Sequence, residues 1–237
     1  MTKKSFINDI ENGHTTWNGE KGLIRVSKKI IVDPNRSTFI DGVTVRKRYS
    51  NALSALNLPE DFRKIRLSIG VTSPIGGEGK TLIAANLAVS LALAHERKTV
   101  LVDMNMTNPG LHKTFGTKLR PGLVESFHNG KVFLSRTKID KLYLLPAGRH
   151  EDFEFGLNSM IPIKDILHSL EQEFEIVIVD MSSVLPIEDF PVAFVSNLDG
   201  LLVVIDSRRT KYADVERMFK HINKDQAFGF VMNNMDE

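Results

Sequence analysis

Cysteine is absent from the 237-residue chain. Disulfides and thiolate-bound metals are thereby excluded, and nothing in the composition calls for an oxidising compartment. Long apolar runs are missing as well: none approaches the roughly 20 residues needed to cross a bilayer. The opening residues, Met1-Thr2-Lys3-Lys4-Ser5-Phe6, lack the apolar stretch of a secretory signal. Aromatic hydroxyls are scarce, with only Tyr49, Tyr143 and Tyr212, and Trp17 is the single tryptophan. No internal repeat or low-complexity tract is visible. What remains is 42% hydrophobic and 25% charged, the make-up of a soluble globular protein, and the expectation is a cytoplasmic one. The length suffices for one α/β domain with additional segments.

A net charge of +2 conceals an asymmetry. Residues 1–50 carry ten Lys and Arg against five Asp and Glu, whereas the remainder carries 21 against 24. The N-terminal arm is basic and the body mildly acidic. A basic arm can meet an acidic partner or anionic lipid, or simply be a solvated segment. Turn dipeptides such as Asn12-Gly13, Asn18-Gly19 and Lys21-Gly22 punctuate this arm. Within it residues 28–32 read as a short strand and residues 45–56 as a helix. The division expected is residues 1–62 as arm and helix, and 63–237 as the main domain.

From Ile65 onward strands and helices alternate. The strand-like runs cover 67–72, 99–103, 141–146, 175–180, 200–206 and 228–233. The helix-like runs cover 80–95, 163–174, 190–197 and 212–222. Most strand runs are continuously apolar, as in strands covered on both faces. The fold class expected is α/β, with a doubly wound, mostly parallel sheet whose ligands sit at the carboxyl ends of its strands.

The segment Thr72-Ser73-Pro74-Ile75-Gly76-Gly77-Glu78-Gly79-Lys80-Thr81 joins the first of these strands to its helix. Glycines allow backbone N–H groups to converge on phosphate oxygens, and a helix N-terminus adds partial positive charge. In such a loop Gly76, Gly77, Glu78, Gly79, Lys80, Thr81 and Leu82 would contact the nucleotide. Lys80 would reach the outer phosphates and the Thr81 hydroxyl a Mg²⁺ ion. The common pattern begins with Gly six residues before the lysine, where this chain has Pro74.

Two apolar strands end in aspartate, Val100-Leu101-Val102-Asp103 and Ile176-Val177-Ile178-Val179-Asp180. A carboxylate at a buried strand tip needs a cleft, a partner or a metal. Asp180 fits the second metal-side carboxylate of phosphate-loop NTPases. Asp103 fits a group that orients an attacking hydroxyl or water, or that supports the metal. His112 lacks a second ligand at metal spacing, and Ser182-Ser183 lacks a His–Asp pair, so neither a zinc site nor a hydrolase triad is expected.

Beyond Asp103 the chain runs Asp103-Met104-Asn105-Met106-Thr107-Asn108-Pro109-Gly110-Leu111-His112-Lys113-Thr114-Phe115-Gly116. This segment, Pro146-Ala147-Gly148, Asp180-Met181-Ser182-Ser183-Val184-Leu185-Pro186 and Gly229-Phe230-Val231-Met232-Asn233 are similar to the bacterial tyrosine kinases of capsule and exopolysaccharide synthesis. These belong to the deviant Walker-type ATPases, with chromosome-partitioning and septum-site proteins as relatives. The resemblance implies a cytoplasmic enzyme using ATP and Mg²⁺ to phosphorylate tyrosine, held at the inner face of the membrane by a chain-length or polysaccharide co-polymerase partner. A homo-oligomer is a further implication. Lys80, Asp103 and Asp180 would be catalytic; Thr81, Asp103 and Asp180 would hold the metal; Asn233 would lie near the adenine. The chain departs from the family pattern at several places. Ile75 replaces the signature lysine of the partitioning ATPases, Asn105 replaces an Asp, Thr107 an Arg, and residues 233–237 contain no tyrosine. Two alternatives follow: an ATP-dependent regulatory switch that does not phosphorylate tyrosine, and a partitioning-type ATPase, against which Ile75 and the acidic body argue, as they do against a nucleic-acid partner.

Overall fold

A computed structural model describes residues 23–25, 66–149 and 157–234. Its centre is an eight-stranded sheet in the order β1-β8-β7-β2-β6-β3-β5-β4. The strands are β1 (Leu23–Arg25), β2 (Leu67–Thr72), β3 (Thr99–Met104), β4 (Ser135–Arg136), β5 (Leu142–Leu145), β6 (Ile176–Met181), β7 (Gly200–Asp206) and β8 (Ala227–Asn233). All neighbours run parallel except β4, which pairs antiparallel with β5 at one edge. The other edge is β1, a segment of the arm, which runs parallel to β8. Both the expected strand at 28–32 and the expected helix at 45–56 lie outside the described residues, as do Trp17, Tyr49 and the division at 62/63.

The continuous apolar runs exist because helices cover both faces, and the period of two divides each strand between them. Val100, Val102 and Met104 of β3, with Val177, Val179 and Met181 of β6, pack into one cluster with Ile163, Leu167, Leu170 and Phe194. Leu101, Ile176 and Ile178 point to the opposite side, against Ile83, Leu87, Ala88 and Leu91. The latter lie on α1 (Lys80–Leu93), which is buried almost throughout. The remaining helices are α2 (Leu111–Thr114), α3 (Leu123–Asn129), α4 (Leu157–Glu173), α5 (Val192–Val195) and α6 (Tyr212–Met218).

Several boundaries differ from expectation. The helix expected at 190–197 shrinks to α5, preceded by a 3₁₀ turn at Ile187–Asp189, because Pro191 interrupts the run. The helix expected at 163 starts earlier, at Leu157, and carries Pro162 within it. Short α2 and α3 had too few residues to show a period, and β4 too few to alternate.

Chain order places the site. From β2 the chain crosses to β3 on one side of the sheet, returns to β6 between them, and then crosses to β7 on the other side. The reversal opens a crevice at the carboxyl ends of β2, β3, β6 and β7, where ligands of open α/β sheets bind.

Candidate functional site

The loop from Ser73 to Gly79 leaves the end of β2 and enters α1. Its start is held to the segment after β6, with Val184 N–H donating to Ser73 O at 2.9 Å and Leu185 N–H to Pro74 O at 3.0 Å. Gly77 and Gly79 have φ of +81° and +90°, which residues bearing a Cβ rarely adopt. Gly79 is needed for a second reason: a Cβ there would lie 2.4 Å from Asn233 Nδ2. The helix that follows has no side-chain cap and no acidic residue in its first turn. The backbone N–H groups from Gly76 to Thr81 make no hydrogen bond of regular geometry to another backbone group among the described residues. A run of such amides at a helix start, carrying the positive end of the helix dipole, is a receptor for phosphate oxygens.

Lys80 is buried and makes no ion pair among the described residues. Burial pushes its ammonium pKa down, and the nearby Asp180 and Glu78 carboxylates pull it back up. Thr81 stands half-buried one residue on.

Asp103 and Asp180 are directly opposite one another in the β3–β6 register and both are fully buried. Their surroundings differ. Asp103 Oδ2 accepts from the N–H groups of Gly110 and Leu111 at 3.1 Å each, and Oδ1 from Asn105 N–H at 3.3 Å. It thus shapes the turn that leads into α2. Neither oxygen of Asp180 accepts a hydrogen bond of regular geometry. Burial, and then the charge of Asp103, push the Asp180 carboxyl up to about 8; Thr81 and Lys80 act in the opposite sense. A buried carboxylate with both oxygens open is costly unless something charged completes it. Two carboxylates and a hydroxyl are too few for an all-protein cation cage. They fit Mg²⁺, which keeps water and takes phosphate oxygens as its other ligands.

The sequence-based reading thus has Lys80, Thr81, Asp103 and Asp180 at one sheet edge, where the fold does bring them. Leu82 is half-buried in the first turn of α1. Asn233, at the tip of β8, donates from Nδ2 to Glu78 O at 2.9 Å, and so touches the loop itself. The side chain of Glu78 faces inward, with its carboxylate consumed by the protein, which leaves its backbone amide as the group offered to a ligand. Ser182 and Ser183 turn their hydroxyls onto backbone carbonyls, of Asp189 and Leu185 respectively. Thr107 Oγ1 donates to Asn105 Oδ1 at 3.3 Å.

One residue that sequence reasoning passed over, Asp206, lies on the far side of the loop. Asp206 closes the apolar run of β7 much as Asp103 and Asp180, one residue short of their strand ends, close theirs, and that shared pattern was the available signal. Its oxygens are occupied by Arg208 N–H at 2.8 Å and Asn234 Nδ2 at 2.9 Å. Arg209 Nη1 donates to Gly77 O at 3.2 Å.

The pattern that describes the CobQ/CobB/MinD/ParA nucleotide-binding domain (CbiA) matches residues 69–236. The chain belongs to this family. A nucleotide-binding domain of the CobQ/CobB/MinD/ParA type accounts for the loop, the parallel sheet and the strand-end carboxylates together. Individual relatives narrow the neighbourhood. The succinoglycan biosynthesis transport protein ExoP of Rhizobium meliloti (strain 1021) is 30% identical over 218 residues, covering 88% of this chain and 26% of ExoP. The chain therefore spans about a quarter of the length of that relative. The tyrosine-protein kinase CpsD of Streptococcus pneumoniae is 26% identical over 197 residues, covering 80% of this chain and 85% of CpsD. The crystal structure of the chimerical protein CapA2B2 superposes with a TM-score of 0.72 at 24% identity, over 100% of both chains, and shows the shared fold. The resemblance to polysaccharide tyrosine kinases within the wider ATPase family is thus met by relatives that carry such names. Among the described residues no helix is long and apolar enough to cross a membrane.

Proposed function

We propose that this CobQ/CobB/MinD/ParA-type domain binds ATP with Mg²⁺ and transfers the γ-phosphate to a tyrosine hydroxyl, in the service of polysaccharide synthesis and export. The observation that carries the reading is Asp180, buried, in register with Asp103 and accepting no hydrogen bond of regular geometry, beside Lys80 and Thr81. The names of CpsD, a tyrosine-protein kinase, and ExoP, a succinoglycan biosynthesis transport protein, support the acceptor and the pathway class.

In this reading the amides of residues 76–81 cradle the phosphates, and Lys80 neutralises charge on the outer ones. Thr81 and Asp180 would hold the metal, which would supply neutralisation of the phosphate charge. Asp103 stands on the same edge to orient the attacking hydroxyl and to receive its proton. No covalent protein nucleophile is required. Asn233 lies on the base side of the loop. The domain works in the cytoplasm, at the membrane through a co-polymerase partner, and copies of it associate.

Calorimetric titration with ATP tests the binding step. Mg²⁺-dependent binding at or below millimolar ATP is expected, with a loss on the order of a hundredfold in Lys80→Ala, the scale of a lost charge–phosphate contact in a dry site. Binding that ignores Lys80→Ala would sink the reading. A second reading, a nucleotide-dependent switch without tyrosine transfer, is favoured by Asn105, where the hydroxyl of Thr107 bonds to an amide oxygen in place of a carboxylate. Phosphotyrosine mass spectrometry after incubation with ATP separates the two. Modification lost in Lys80→Ala supports transfer, and its absence with ATP binding intact supports the switch.

A further inference from the structure

Glu78 sits at the apex of the loop, yet none of its side chain reaches solvent. A carboxylate buried there without a salt bridge is an expensive choice if the loop merely had to turn, since an apolar residue could fill the space. What the carboxylate does is reach in two directions. Oε2 accepts from Ile75 N–H at 2.9 Å, within the loop. Oε1 accepts from the Thr210 hydroxyl, beyond the end of β7, and, at 3.4 Å, from the N–H of Asp206, its last residue. The Thr210 hydroxyl also accepts from Asp206 N–H at 3.1 Å. On the backbone of the same residue, Glu78 O accepts from Asn233 Nδ2 of β8. Asp206 in turn holds Asn234 and the turn at Arg208. The loop is therefore fastened to the tips of β7 and β8 at one point, on the side away from Asp103 and Asp180.

We propose that Glu78 and Thr210 are positioning residues: they clamp the loop against the ends of β7 and β8 and so keep the amides of residues 76–81 aimed at the phosphates. The proposal rests on the nucleotide reading above and deepens it, adding a support on the β7 side that neither the loop pattern nor the strand-end aspartates contain. Its consequence is that binding of the triphosphate moiety depends on a threonine hydroxyl far from it in sequence.

The test compares wild type with Glu78→Ala, Glu78→Gln, Thr210→Val, the Glu78→Ala/Thr210→Val pair and Lys80→Ala. Calorimetry measures Kd for MgATP and for inorganic tripolyphosphate, with melting curves recorded in parallel. Loss of a hydrogen bond to a charged group corresponds to about tenfold or more in affinity. Glu78→Ala and Thr210→Val should each weaken both ligands by about that factor. Glu78→Gln, which can accept from Ile75 N–H and donate to the Thr210 hydroxyl, should stay within about threefold of wild type. The double variant should be no weaker than Glu78→Ala alone, because both side chains serve one clamp. A merely structural role would lower melting temperatures while leaving the Kd of the folded fraction unchanged. Folded Glu78→Ala that binds MgATP within twofold of wild type overturns the proposal. Should Glu78→Ala fail to fold, Thr210→Val binding within twofold overturns it instead. Absence of MgATP binding in wild type, or binding indifferent to Lys80→Ala, overturns the nucleotide reading and the clamp with it.

Discussion

Three aspartates stand at or one residue before the carboxyl ends of β3, β6 and β7 and lead different lives. Asp206 is spent on holding a turn and a neighbouring asparagine, Asp103 on the turn into α2, whereas Asp180 accepts no hydrogen bond of regular geometry among the described residues. The difference sets a pH prediction. Folded Asp180 releases its proton near 8, against 3.8 for the exposed group, so between these values the folded state holds a proton that the unfolded state has lost. Stability therefore falls as pH rises through that window, by up to about 1.4 kcal/mol per unit, and levels off above the folded value. Glu78, also raised, adds in the same direction. Lys80, lowered, works the other way only towards alkaline pH, where the folded ammonium gives up its proton first. The groups facing Asp180 are Asp103 of β3, and Lys80 and Thr81 of α1. Denaturant unfolding of the metal- and nucleotide-free protein between pH 5 and 8 should show a shallower decline in Asp180→Asn than in wild type. Parallel curves would refute the assignment. Legibility at this scale follows locality. Lys80, Thr81 and the two strand-end aspartates could be found because glycine spacing and apolar run-ends mark them. Glu78 could not be assigned its brace, because its partners Asp206 and Thr210 arrive from 128 and 132 residues away.

Among elements, β2 is the one on which the site hangs, and it is packed without slack. Gly70 faces Leu201, Met181 and Leu198 so closely that a Cβ would lie 2.6 to 2.8 Å from each of them. Gly70→Ala should cost roughly 1–3 kcal/mol by overpacking, a drop of roughly 2–10 °C in melting temperature for a domain of this size. Calorimetric melting reads this, and an unchanged Tm would show that the three side chains can withdraw. The strands were legible because a strand buried on both faces must be apolar at every position, as in Val100–Val102 or Ile176–Val179. The helices were most plainly legible where long, although the short α6 fell within the expected run 212–222. Lys80–Leu93 shows its length plainly, whereas α2, α3 and α5 span one or two turns, and tertiary contacts decide them. Pro191 was present in the sequence to stop the 190–197 helix; the apolar residues around it outweighed that signal in the reading of the run.

For the whole molecule the test is linkage. A ligand that binds the folded state alone, at a hundred times its Kd, adds about 2.7 kcal/mol of stability. Saturating MgATP should accordingly raise the melting temperature by roughly 5–10 °C, and Lys80→Ala should cancel most of that shift. No shift in wild type, in the presence of Mg²⁺, would contradict a folded nucleotide site. The parallel sheet and its crevice were legible from the alternation of runs, since parallel strands need crossovers and crossovers need helices. Strand order was not, because hydrophobic strands look alike from the inside. The antiparallel edge at β4 and the arm's strand at Leu23–Arg25 were equally hidden, being too short for any pattern.

The in-register placement of Asp103 and Asp180 has one more consequence. Their separation is inherited from the ladder between β3 and β6, a repeat of about 4.8 Å that every pair of bonded strands shares. The sheet is in this sense a ruler, and loop substitutions or changes of partner cannot reset its divisions. Only a slip of one strand past the other could, and that would turn a whole face of buried side chains the wrong way. The spacing of the charges is thus protected by the apolar residues between them, and chemistry at this edge can vary in its ligands and acceptors without varying its metric.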